Sequence, residues 1–337
     1  MAVITIIGAG DMGSAMSVPA RYNGHETRLV GTPLDREIIE HARQTGAHLT
    51  LKRPLPQGTA LYQIEQLEEA LAGAELLICG VSSFGVEWFW NEVIPRLPPG
   101  LPVLSVTKGM LDMPDGSLLT FPELYEQAAP GRDFCAIGGP CTSYEMMDGD
   151  QTTVCYCGRD GARLRWMKAL LETPFYHVGV STDVRGVECA VAMKNAYALA
   201  VCLAVGLSEQ RDGRQHYNSQ AALFGQSVRE MRLLLALCGG QDDNIVWGAG
   251  DLYVTVFGGR TRKIGMLLGQ GLPFDEALAQ LSGVTLESHV IAARTGRAVR
   301  RRIELGTARA ADFPLLLHID NIISRGAKVD IPWGEFV

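Results

Sequence analysis

The sequence predicts an α/β protein in which a doubly wound, mostly parallel sheet is followed by a mainly α-helical domain. Up to about residue 180, short β-branched apolar runs alternate with segments of helical spacing, which is the pattern of a sheet covered by helices. After Thr182 the strand signal fades and long stretches show apolar residues at helical intervals. The 337 residues suffice for two ordinary domains, which we expect to span 1–180 and 181–337.

The spacing of apolar residues predicts the individual elements. Strands are expected at short apolar runs, namely 3–7, 27–30, 76–81, 103–106, 134–137 and 152–156. Helices are expected where apolar residues recur every three or four positions, namely 33–46, 65–72, 163–171, 183–207, 219–238, 273–281 and 287–304. Thr32 is expected to cap the helix at 33–46, with Asp35 as the carboxylate of a capping box. Pro19 is expected to kink or shorten the helix after the first strand.

The composition is typical of a packed protein whose main partner is not a polyanion. Hydrophobic residues make up 47% of the chain, and the net charge of -7 argues against nucleic acid or an anionic membrane surface. The eight cysteines lie mostly in apolar runs and imply no disulfide framework. Cys155 and Cys157 have no further Cys or His pair at zinc spacing, so we expect no metal. Because residues 1–7 already resemble a strand, no signal segment is predicted and a cytoplasmic location is expected.

Lys194 and Asn195 lie side by side in the middle of the apolar helix predicted at 183–207. The residues three and four positions away carry no charge, so a partner for Lys194 must come from elsewhere in the chain. Burial would lower the pKa of this lysine and let it exchange protons near neutral pH. The alternatives are a lysine that extends to the surface and a membrane-spanning helix, and a Lys-Asn pair at a bilayer centre argues against the second.

A glycine-rich segment directly after the first strand fits the fingerprint of a dinucleotide-binding turn. Glycines there allow a tight turn, close approach of a pyrophosphate and close packing of the next helix, whose N-terminus faces the phosphates. The segment consists of Gly8, Ala9, Gly10, Asp11, Met12, Gly13, Ser14 and Ala15. A tight strand-to-helix turn without a ligand is the alternative interpretation.

The end of the second strand, which usually separates NAD from NADP, is ambiguous. An acidic residue there binds the ribose 2′-hydroxyl, whereas a basic residue favours a 2′-phosphate. The chain continues with Gly31, Thr32 and Pro33, and both Asp35 and Arg36 follow closely. NAD and NADP therefore both remain open as the cofactor.

Two motifs follow other predicted strands, at the edge where ligands of open α/β sheets bind. Lys108 comes just after the strand at 103–106 and could contact a substrate, although a solvated lysine is equally compatible with the local sequence. The turn 138–141, Gly-Gly-Pro-Cys, could let the backbone approach a ligand, or it is only a turn.

The helical half contains two glycine-rich motifs. The segment 248–252 is predicted as a turn that carries Asp251, the strongest candidate partner of Lys194, with Thr255 four residues later. A carboxylate that only caps the following helix is the alternative. The segment 258–263 combines two glycines, three cations and a hydroxyl at a predicted helix start, which suits a phosphate group. Its alternative is a capping glycine before a solvated basic helix face.

Taken in order, six motifs resemble those of the NAD(P)-dependent glycerol-3-phosphate dehydrogenases, and the resemblance spans nearly the whole chain. The six are the glycine-rich opening, 107–109, 139–140, 186–188 leading to 194–195, 250–252 with 255, and 259–260. The expected fold is then a Rossmann-type doubly wound sheet followed by a mainly α-helical C-terminal domain. The expected reaction is hydride transfer between the nicotinamide of NAD or NADP and C2 of dihydroxyacetone phosphate, with a small phosphorylated substrate and a homodimer.

The resemblance also implies a role for each matching residue. Lys194 would act as general acid or base on the C2 oxygen, while Asp251 and Thr255 would hold that lysine and the substrate hydroxyls. The expected catalytic residues are Lys194, Lys108, Asp251, Thr255 and Asn195. The expected cofactor contacts are Gly8, Gly10, Asp11, Met12, Gly13, Lys108, Ser143, Arg260 and Glu287. The expected substrate contacts are Lys108, Gly139, Cys141, Lys194, Asp251, Gly259, Arg260 and Thr261.

Departures from the family pattern cluster in the expected substrate and cofactor contacts. Thr261 replaces the usual asparagine, and Gly259 replaces the usual serine. The turn after Pro140 usually has Ser or Thr, an aromatic residue and Ala, and here it has Cys141, Thr142 and Ser143. Such a pocket could accept a different polyol phosphate. The other hypotheses are a two-domain reductase of a 2-keto acid and, from another class, a regulator that senses dinucleotide without chemistry.

Overall fold

The computed structural model describes residues 1–282 and 286–336, which form two compact units. The first unit comprises Met1–Lys108 and Phe121–Val184, and the second comprises Gly109–Thr120 and the described residues from Arg185 onward. The chain passes to the second unit at Arg185, and it also contributes one earlier segment, 109–120, to that unit.

An eight-stranded sheet organises the first unit, in the order β10-β9-β8-β5-β4-β1-β2-β3. All its neighbouring pairs are parallel except β8 and β9, which are antiparallel. The glycine-rich segment follows β1, where the strand order reverses between β1 and β4, and this is the usual ligand site of such sheets. The strands are β1 Val3–Ile7, β2 Glu26–Val30, β3 Thr59–Tyr62, β4 Leu76–Cys79, β5 Val103–Ser105, β6 Met110–Asp112, β7 Leu118–Thr120, β8 Phe134–Gly138, β9 Thr152–Cys157 and β10 Tyr176–Ser181.

All six predicted strands are present, and each end lies within two residues of its predicted position. The predicted α/β class is confirmed. Prediction missed β3, β10 and the hairpin of β6 and β7. The residues of β3 are only half-buried, and β10 at the other sheet edge alternates buried with accessible residues, so neither gives the continuous apolar signal of a central strand.

Fifteen α-helices complete the structure of the described residues. They are α1 Asp11–Ala15, α2 Ser17–Tyr22, α3 Arg36–Thr45, α4 Leu67–Leu71, α5 Val86–Trp88, α6 Phe121–Ala128, α7 Ser143–Met147, α8 Gly161–Leu171, α9 Val184–Asp212, α10 Tyr217–Leu237, α11 Ile245–Val256, α12 Gly259–Gly269, α13 Phe274–Gln280, α14 Glu287–Glu304 and α15 Pro314–Arg325. Short 3₁₀ turns and one π-helical turn at Phe89–Val93 connect several of them.

Two expectations about helix ends have different outcomes. Pro19 does shorten the first helix: α1 ends at Ala15, whose carbonyl would face the missing N–H of the proline. The predicted cap at Thr32 is wrong, because α3 begins at Arg36 with Asp35 in the N-cap position. The Thr32 backbone N–H still donates to the Asp35 carboxylate, as in the expected capping box, and the Thr32 hydroxyl donates to it too, but these bonds close a turn that precedes the helix.

The antiparallel hairpin of β6 and β7 belongs to the second unit and packs on α14. Met110 and Leu118 enter the apolar core of that unit. Four arginines of α14 hold the hairpin. Arg297 pairs with Asp112, and the other three donate to backbone carbonyls: Arg294 to Met110, Arg301 to Pro114 and Arg302 to Gly116. The prediction missed this hairpin because its strands have only three residues each.

The long helix α9 is the centre of the second unit. It is long and apolar enough to cross a membrane, but 83% of its most apolar window is buried inside the protein, as in the core helix of a folded domain. Glycines let α12 approach it closely. A Cβ on Gly206 of α9 would lie 2.1 Å from the Met266 carbonyl oxygen, and one on Gly269 would lie 2.3 Å from that of Leu203. This pairing positions the start of α12 relative to the α9 lysine.

Candidate active site

The glycine-rich turn after β1 has the backbone that a dinucleotide requires. Gly8 has φ +107°, a conformation that side-chain-bearing residues rarely adopt. A Cβ on Gly13 would lie 2.0 Å from the Gly8 carbonyl oxygen, and one on Gly80 would lie 2.7 Å from the Gly13 Cα. The turn is therefore closed against the end of β4, as the fingerprint predicts. Gly10 precedes α1, and Asp11 and Met12 are its first residues.

Two side chains grip the Ala9 peptide inside this turn. The Ala9 N–H donates to Oδ2 of Asp35 at 3.0 Å, and the Ala9 carbonyl accepts from Nε2 of His48 at 2.9 Å. Both residues come from beyond β2. His48 was not among the expected site residues, because no local pattern links a histidine in a loop to a turn 39 residues earlier.

The end of β2 holds no carboxylate in the position that normally binds a ribose. Gly31 follows the strand directly, and a Cβ there would lie 2.7 Å from Cγ1 of Ile39. Oδ2 of Asp35 already accepts three hydrogen bonds, from the Ala9 N–H and from the N–H and hydroxyl of Thr32. Arg36 is exposed at the start of α3, where it pairs with Glu65 on the surface.

Lys108 and Gly139 meet at the carboxyl edge of the sheet, as their positions after neighbouring parallel strands predict. The Lys108 ammonium donates to the Gly139 carbonyl at 2.9 Å. Gly139 has φ +110°, so glycine is required in that turn. The Thr107 hydroxyl donates to the Val81 carbonyl at 2.7 Å and holds the lysine segment against the end of β4.

The turn after β8 leads into α7, and it contains the altered residues Cys141 and Ser143. Thr142 is the N-cap residue of α7, and Ser143 is its first residue. The Cys141 thiol lies 3.6 Å from the sulfur of Met146. Cys141 and Ser143 follow β8 close to Gly139, whose carbonyl binds Lys108. Both were expected from the sequence to contact a ligand.

Lys194 and Asp251 form the ion pair expected from the sequence. Nζ of Lys194 lies 2.5 Å from Oδ1 of Asp251, whose side chain is fully buried, while that of Lys194 keeps 15% of its surface accessible. Charged groups inside an apolar core are stable only when they are paired. The lowered pKa expected for Lys194 stays a prediction.

The segment around Asp251 is helical, so the predicted glycine-rich turn at 248–252 is wrong. Asp251 lies in the middle of α11, and the alternative in which it only caps a helix is excluded as well. Gly248 serves helix packing instead. A Cβ on Gly248 would lie 2.5 Å from the Ala190 carbonyl oxygen of α9. This close approach brings the aspartate to the lysine.

Thr255 and Asn195 flank the ion pair in sequence. The Thr255 hydroxyl donates to the Asp251 carbonyl one turn earlier, at 2.6 Å, which fixes its rotamer and leaves its oxygen lone pairs as acceptors. Asn195 is half-buried beside Lys194. Both lie on the helices that carry the charged pair.

The basic segment begins α12, as predicted, and its members have different environments. Gly259 has φ +76°, and Arg260 is exposed in the first turn of the helix. Arg262 donates to the Val256 carbonyl at the end of α11, so it holds two helices together. Thr261 is buried. Glu287, expected as a cofactor contact, is the first residue of α14.

Known proteins resemble this chain over nearly its whole length. A protein 33% identical over 333 residues, covering 97% of both chains, is the NADP(+)-dependent glycerol-3-phosphate dehydrogenase of Archaeoglobus fulgidus. The glycerol-3-phosphate dehydrogenase [NAD(P)+] of Koribacter versatilis is 28% identical over 336 residues, with 97% and 94% coverage. The crystal structure of glycerol-3-phosphate dehydrogenase from Coxiella burnetii shares the fold, with a TM-score of 0.81 at 21% identity over 99% of this chain and 97% of that one.

The family models cover both units. Residues 3–162 match the N-terminal model of NAD-dependent glycerol-3-phosphate dehydrogenase, and residues 183–332 match its C-terminal model. The match includes the glycine-rich turn in the first range and the lysine–aspartate pair in the second. The chain belongs to the NAD-dependent glycerol-3-phosphate dehydrogenase family.

Proposed function

We propose that this NAD(P)-dependent oxidoreductase interconverts dihydroxyacetone phosphate and sn-glycerol 3-phosphate, and that Lys194 exchanges the proton on the C2 oxygen. The buried ion pair of Lys194 with Asp251 carries this proposal, because it supplies a proton donor held in one orientation on an otherwise apolar helix. The names of the two relatives, glycerol-3-phosphate dehydrogenases that use NADP or NAD(P), support the substrate and the cofactor. The comparisons do not favour a 2-keto acid reductase or a regulator without chemistry.

The proton chemistry follows from the states of Lys194. When bound, the nicotinamide supplies or accepts a hydride at C4. In the direction of reduction, the Lys194 ammonium donates its proton to the C2 oxygen as negative charge develops there, and the neutral amine then regains a proton from water. In the direction of oxidation, the neutral amine accepts the hydroxyl proton. Asp251 holds Nζ in place through both steps, and Thr255 presents its hydroxyl oxygen to the substrate hydroxyls.

One cation in each unit is proposed to bind a ligand. In the first unit, Lys108 places a positive charge at the carboxyl edge of the sheet, where it contacts cofactor and substrate. In the second unit, Arg260 offers an exposed guanidinium in the first turn of α12, beside a glycine that leaves the backbone open. Guanidinium groups bind phosphate through paired hydrogen bonds. Arg260 is therefore the proposed phosphate ligand.

NADP(H) is the proposed preferred cofactor. Gly31 leaves no room for a ribose-binding carboxylate directly after β2, and Asp35 is held within the turn. Arg36 is the first cation beyond the strand, and its pair with Glu65 lies on the surface, where solvent weakens it, so a 2′-phosphate can displace the carboxylate. The relative from Archaeoglobus fulgidus is named for NADP(+).

Steady-state oxidation of NADH and NADPH with dihydroxyacetone phosphate tests the function. We expect turnover with wild type, and a loss of about 10²–10⁴-fold in kcat for Lys194→Ala. A wild-type protein that binds NADPH yet leaves this ketone unreduced would contradict the proposed substrate. The search would then move to other phosphorylated ketones.

Arg36→Ala tests the cofactor preference, with Arg96→Ala as the matched control. Both arginines are accessible, and both pair with a glutamate of the first unit. We expect Arg36→Ala to raise the KM for NADPH about tenfold and to leave the KM for NADH unchanged. Equal effects on both cofactors, or the same loss in Arg96→Ala, would contradict the role of Arg36.

The assembly and location are proposed on more general grounds. A homodimer is proposed because twofold dimers are the commonest soluble assembly, and the mass measured by light scattering tests it. A cytoplasmic location is likewise a proposal, and cell fractionation tests it.

A further inference from the structure

We propose that His48 and Asp35 are positioning residues that clamp the Ala9 peptide and so preset the glycine-rich turn for the cofactor pyrophosphate. This inference rests on the proposed dinucleotide binding and adds two residues to it. Ala9 is fully buried, so its own side chain faces no ligand. The backbone N–H and carbonyl of Ala9, however, lie between Gly8 and Gly10. The conformations of these two glycines determine where the N–H groups of the turn point.

The clamp acts on both polar groups of Ala9. Asp35 accepts its N–H at 3.0 Å, and His48 donates to its carbonyl at 2.9 Å. The Ser14 hydroxyl donates to the same carbonyl at 3.1 Å from within α1. Glycine neighbours leave the Ala9 peptide more backbone freedom than other residues would. These three hydrogen bonds therefore add a restraint to the packing of Gly8 and Gly13 against Gly80.

His48 is built into its position by its own loop, residues 47–54, which we call the His48 loop. Its side chain is fully buried. Its backbone N–H donates to the Arg53 carbonyl at 2.8 Å, and its ring Nδ1 accepts the Leu51 N–H at 3.1 Å. Because Nδ1 is the acceptor, the proton of the neutral ring lies on Nε2 and points at Ala9. The loop thus determines the tautomer that the clamp requires.

The His48 loop is itself anchored at both ends. Ala47 and Pro54 form an isolated β-bridge, and Arg53 makes two hydrogen bonds of 2.6 Å to the Asp148 carboxylate just after α7. The Thr50 hydroxyl also donates to the Asp11 carboxylate at the start of α1. The loop therefore braces the first residues of α1 as well as Ala9. A turn held this way loses little freedom when a ligand binds, which favours affinity.

The clamp predicts an effect on cofactor affinity and none on proton transfer. Loss of the His48 donor would leave the buried Ala9 carbonyl with only the Ser14 bond and would let the turn sample other conformations. Removing one partner of a buried hydrogen bond typically costs enough to change a dissociation constant about tenfold. The Kd for NADPH should therefore rise, while kcat at saturating NADPH should stay within about twofold of wild type.

His48→Asn and His48→Gln are the informative pair of variants. The asparagine side chain keeps an acceptor near the position of Nδ1 but cannot reach Ala9, whereas the glutamine amide reaches the position of Nε2. We expect the Kd for NADPH, measured by the fluorescence of the bound nucleotide, to rise about tenfold in His48→Asn. We expect His48→Gln to stay within about threefold of wild type.

His25→Asn is the matched control. His25 is a buried histidine of the same unit with the same bonding pattern, since its Nδ1 accepts the Ala2 N–H at 3.1 Å and its Nε2 contacts the Leu170 carbonyl at 2.8 Å. It does not contact the glycine-rich turn, so its variant should lose stability without losing NADPH affinity. An equal rise of Kd in His25→Asn and His48→Asn, or an unchanged Kd in His48→Asn, would overturn the clamp.

The same titrations separate this inference from the proposed function. A wild type that binds NADPH but reduces no dihydroxyacetone phosphate overturns the proposed reaction and leaves the comparison of the histidine variants valid. A wild type that binds neither NADPH nor NADH overturns both. Normal turnover with an unchanged Kd in His48→Asn overturns the clamp alone.

Discussion

The two units present their functional groups in different ways. In the first unit the candidate site is mainly backbone: the turn after β1, closed by Gly8, Gly13 and Gly80, and the carbonyl of Gly139 that faces Lys108. In the second unit it is mainly side chains, with Lys194 on α9 and Asp251 on α11 meeting across 57 residues of sequence. A backbone site can be recognised from a short motif, whereas a side-chain site exists only once helices have packed.

The difference follows from how each unit is held together. Parallel strands bring their carboxyl ends to one edge, so any turn that follows a strand lies near the other turns. Helices have no such common edge, and their contacts depend on which surfaces fit. In the second unit, Gly206, Gly248 and Gly269 provide that fit by letting neighbouring helices approach α9. Functional geometry there depends on residues that never contact a ligand.

Removal of the charge from Asp251 should have the largest effect and is the sharpest test of the second unit. Asp251→Asn leaves Lys194 without its counterion, so we expect kcat to fall about 10²-fold or more while NADPH affinity is unchanged. Steady-state kinetics would show it. Because the two residues act as a unit, Lys194→Ala/Asp251→Asn should be no slower than Lys194→Ala alone.

Asp320→Asn is the control for this experiment. Asp320 is also a buried carboxylate of the second unit, paired with Arg300 at 2.6 Å. Its variant should lose stability and keep its kcat. An equal loss of kcat in both variants would mean that any buried charge of this unit matters to turnover.

Gly13→Ala should be the strongest disruption of the first unit. The added methyl carbon would lie 2.0 Å from the Gly8 carbonyl oxygen, so the backbone must move. We expect the Kd for NADPH to rise by about 10²-fold, which corresponds to about 3 kcal/mol. Fluorescence titration measures it, and near wild-type affinity would show that the turn does not carry the binding.

Gly248→Ala should have a smaller effect and tests the role of helix contacts. A Cβ there would lie 2.5 Å from the Ala190 carbonyl oxygen, which forces α11 away from α9 and Asp251 away from Lys194. Overpacking of this kind costs about 1–3 kcal/mol, so both the melting temperature and kcat should fall. Gly225→Ala is the matched control, since Gly225 lies within α10 and a Cβ there meets nothing within 4 Å. That variant should be stabilised by about 0.5–1 kcal/mol.

Substitution of Glu230 should have the smallest effect on activity, but it should change how the stability of the protein depends on pH. Burial raises the pKa of this carboxyl to about 7, against the hydrogen bonds it accepts from Gln226, Tyr197 and the backbone N–H groups of Leu315 and Leu316. The unfolded chain releases this proton near its ordinary pKa of 4.5, but the folded protein retains it until about pH 7. Stability should therefore fall as the pH rises between these values and then level off.

Glu230→Gln should remove that dependence, because the amide does not titrate. Melting temperatures measured from pH 4.5 to 8 should fall by several degrees for wild type and by less than about 2 °C for the variant, with kcat at pH 7 unchanged. Glu276→Gln, at an exposed position of α13, should behave as wild type. A variant that keeps the full slope would show that other groups determine it.

The candidate site was predictable to different extents in the two units. The turn 8–13 and the pairing of Lys194 with Asp251 were expected from the residues, whereas Lys108 and Gly139 were each expected at the site but not in contact with each other. His48 and the β6–β7 hairpin were not, since each acts through contacts with distant segments. The turn predicted around Asp251 was wrong because the glycines of the segment were interpreted as turn formers, whereas the segment is helical and Gly248 lets α11 pack on α9.

The sequence by itself determined the α/β class, six of the ten strands of the described residues, the glycine-rich turn and the need for a counterion to Lys194, because these depend on local spacing and on the cost of an unpaired buried charge. Only the tertiary structure decided that Asp251 lies within a helix, that Gly248 brings it to the lysine, and that His48 and Asp35 hold the Ala9 peptide. These contacts join segments far apart in sequence, and only the packing of complementary surfaces selects them.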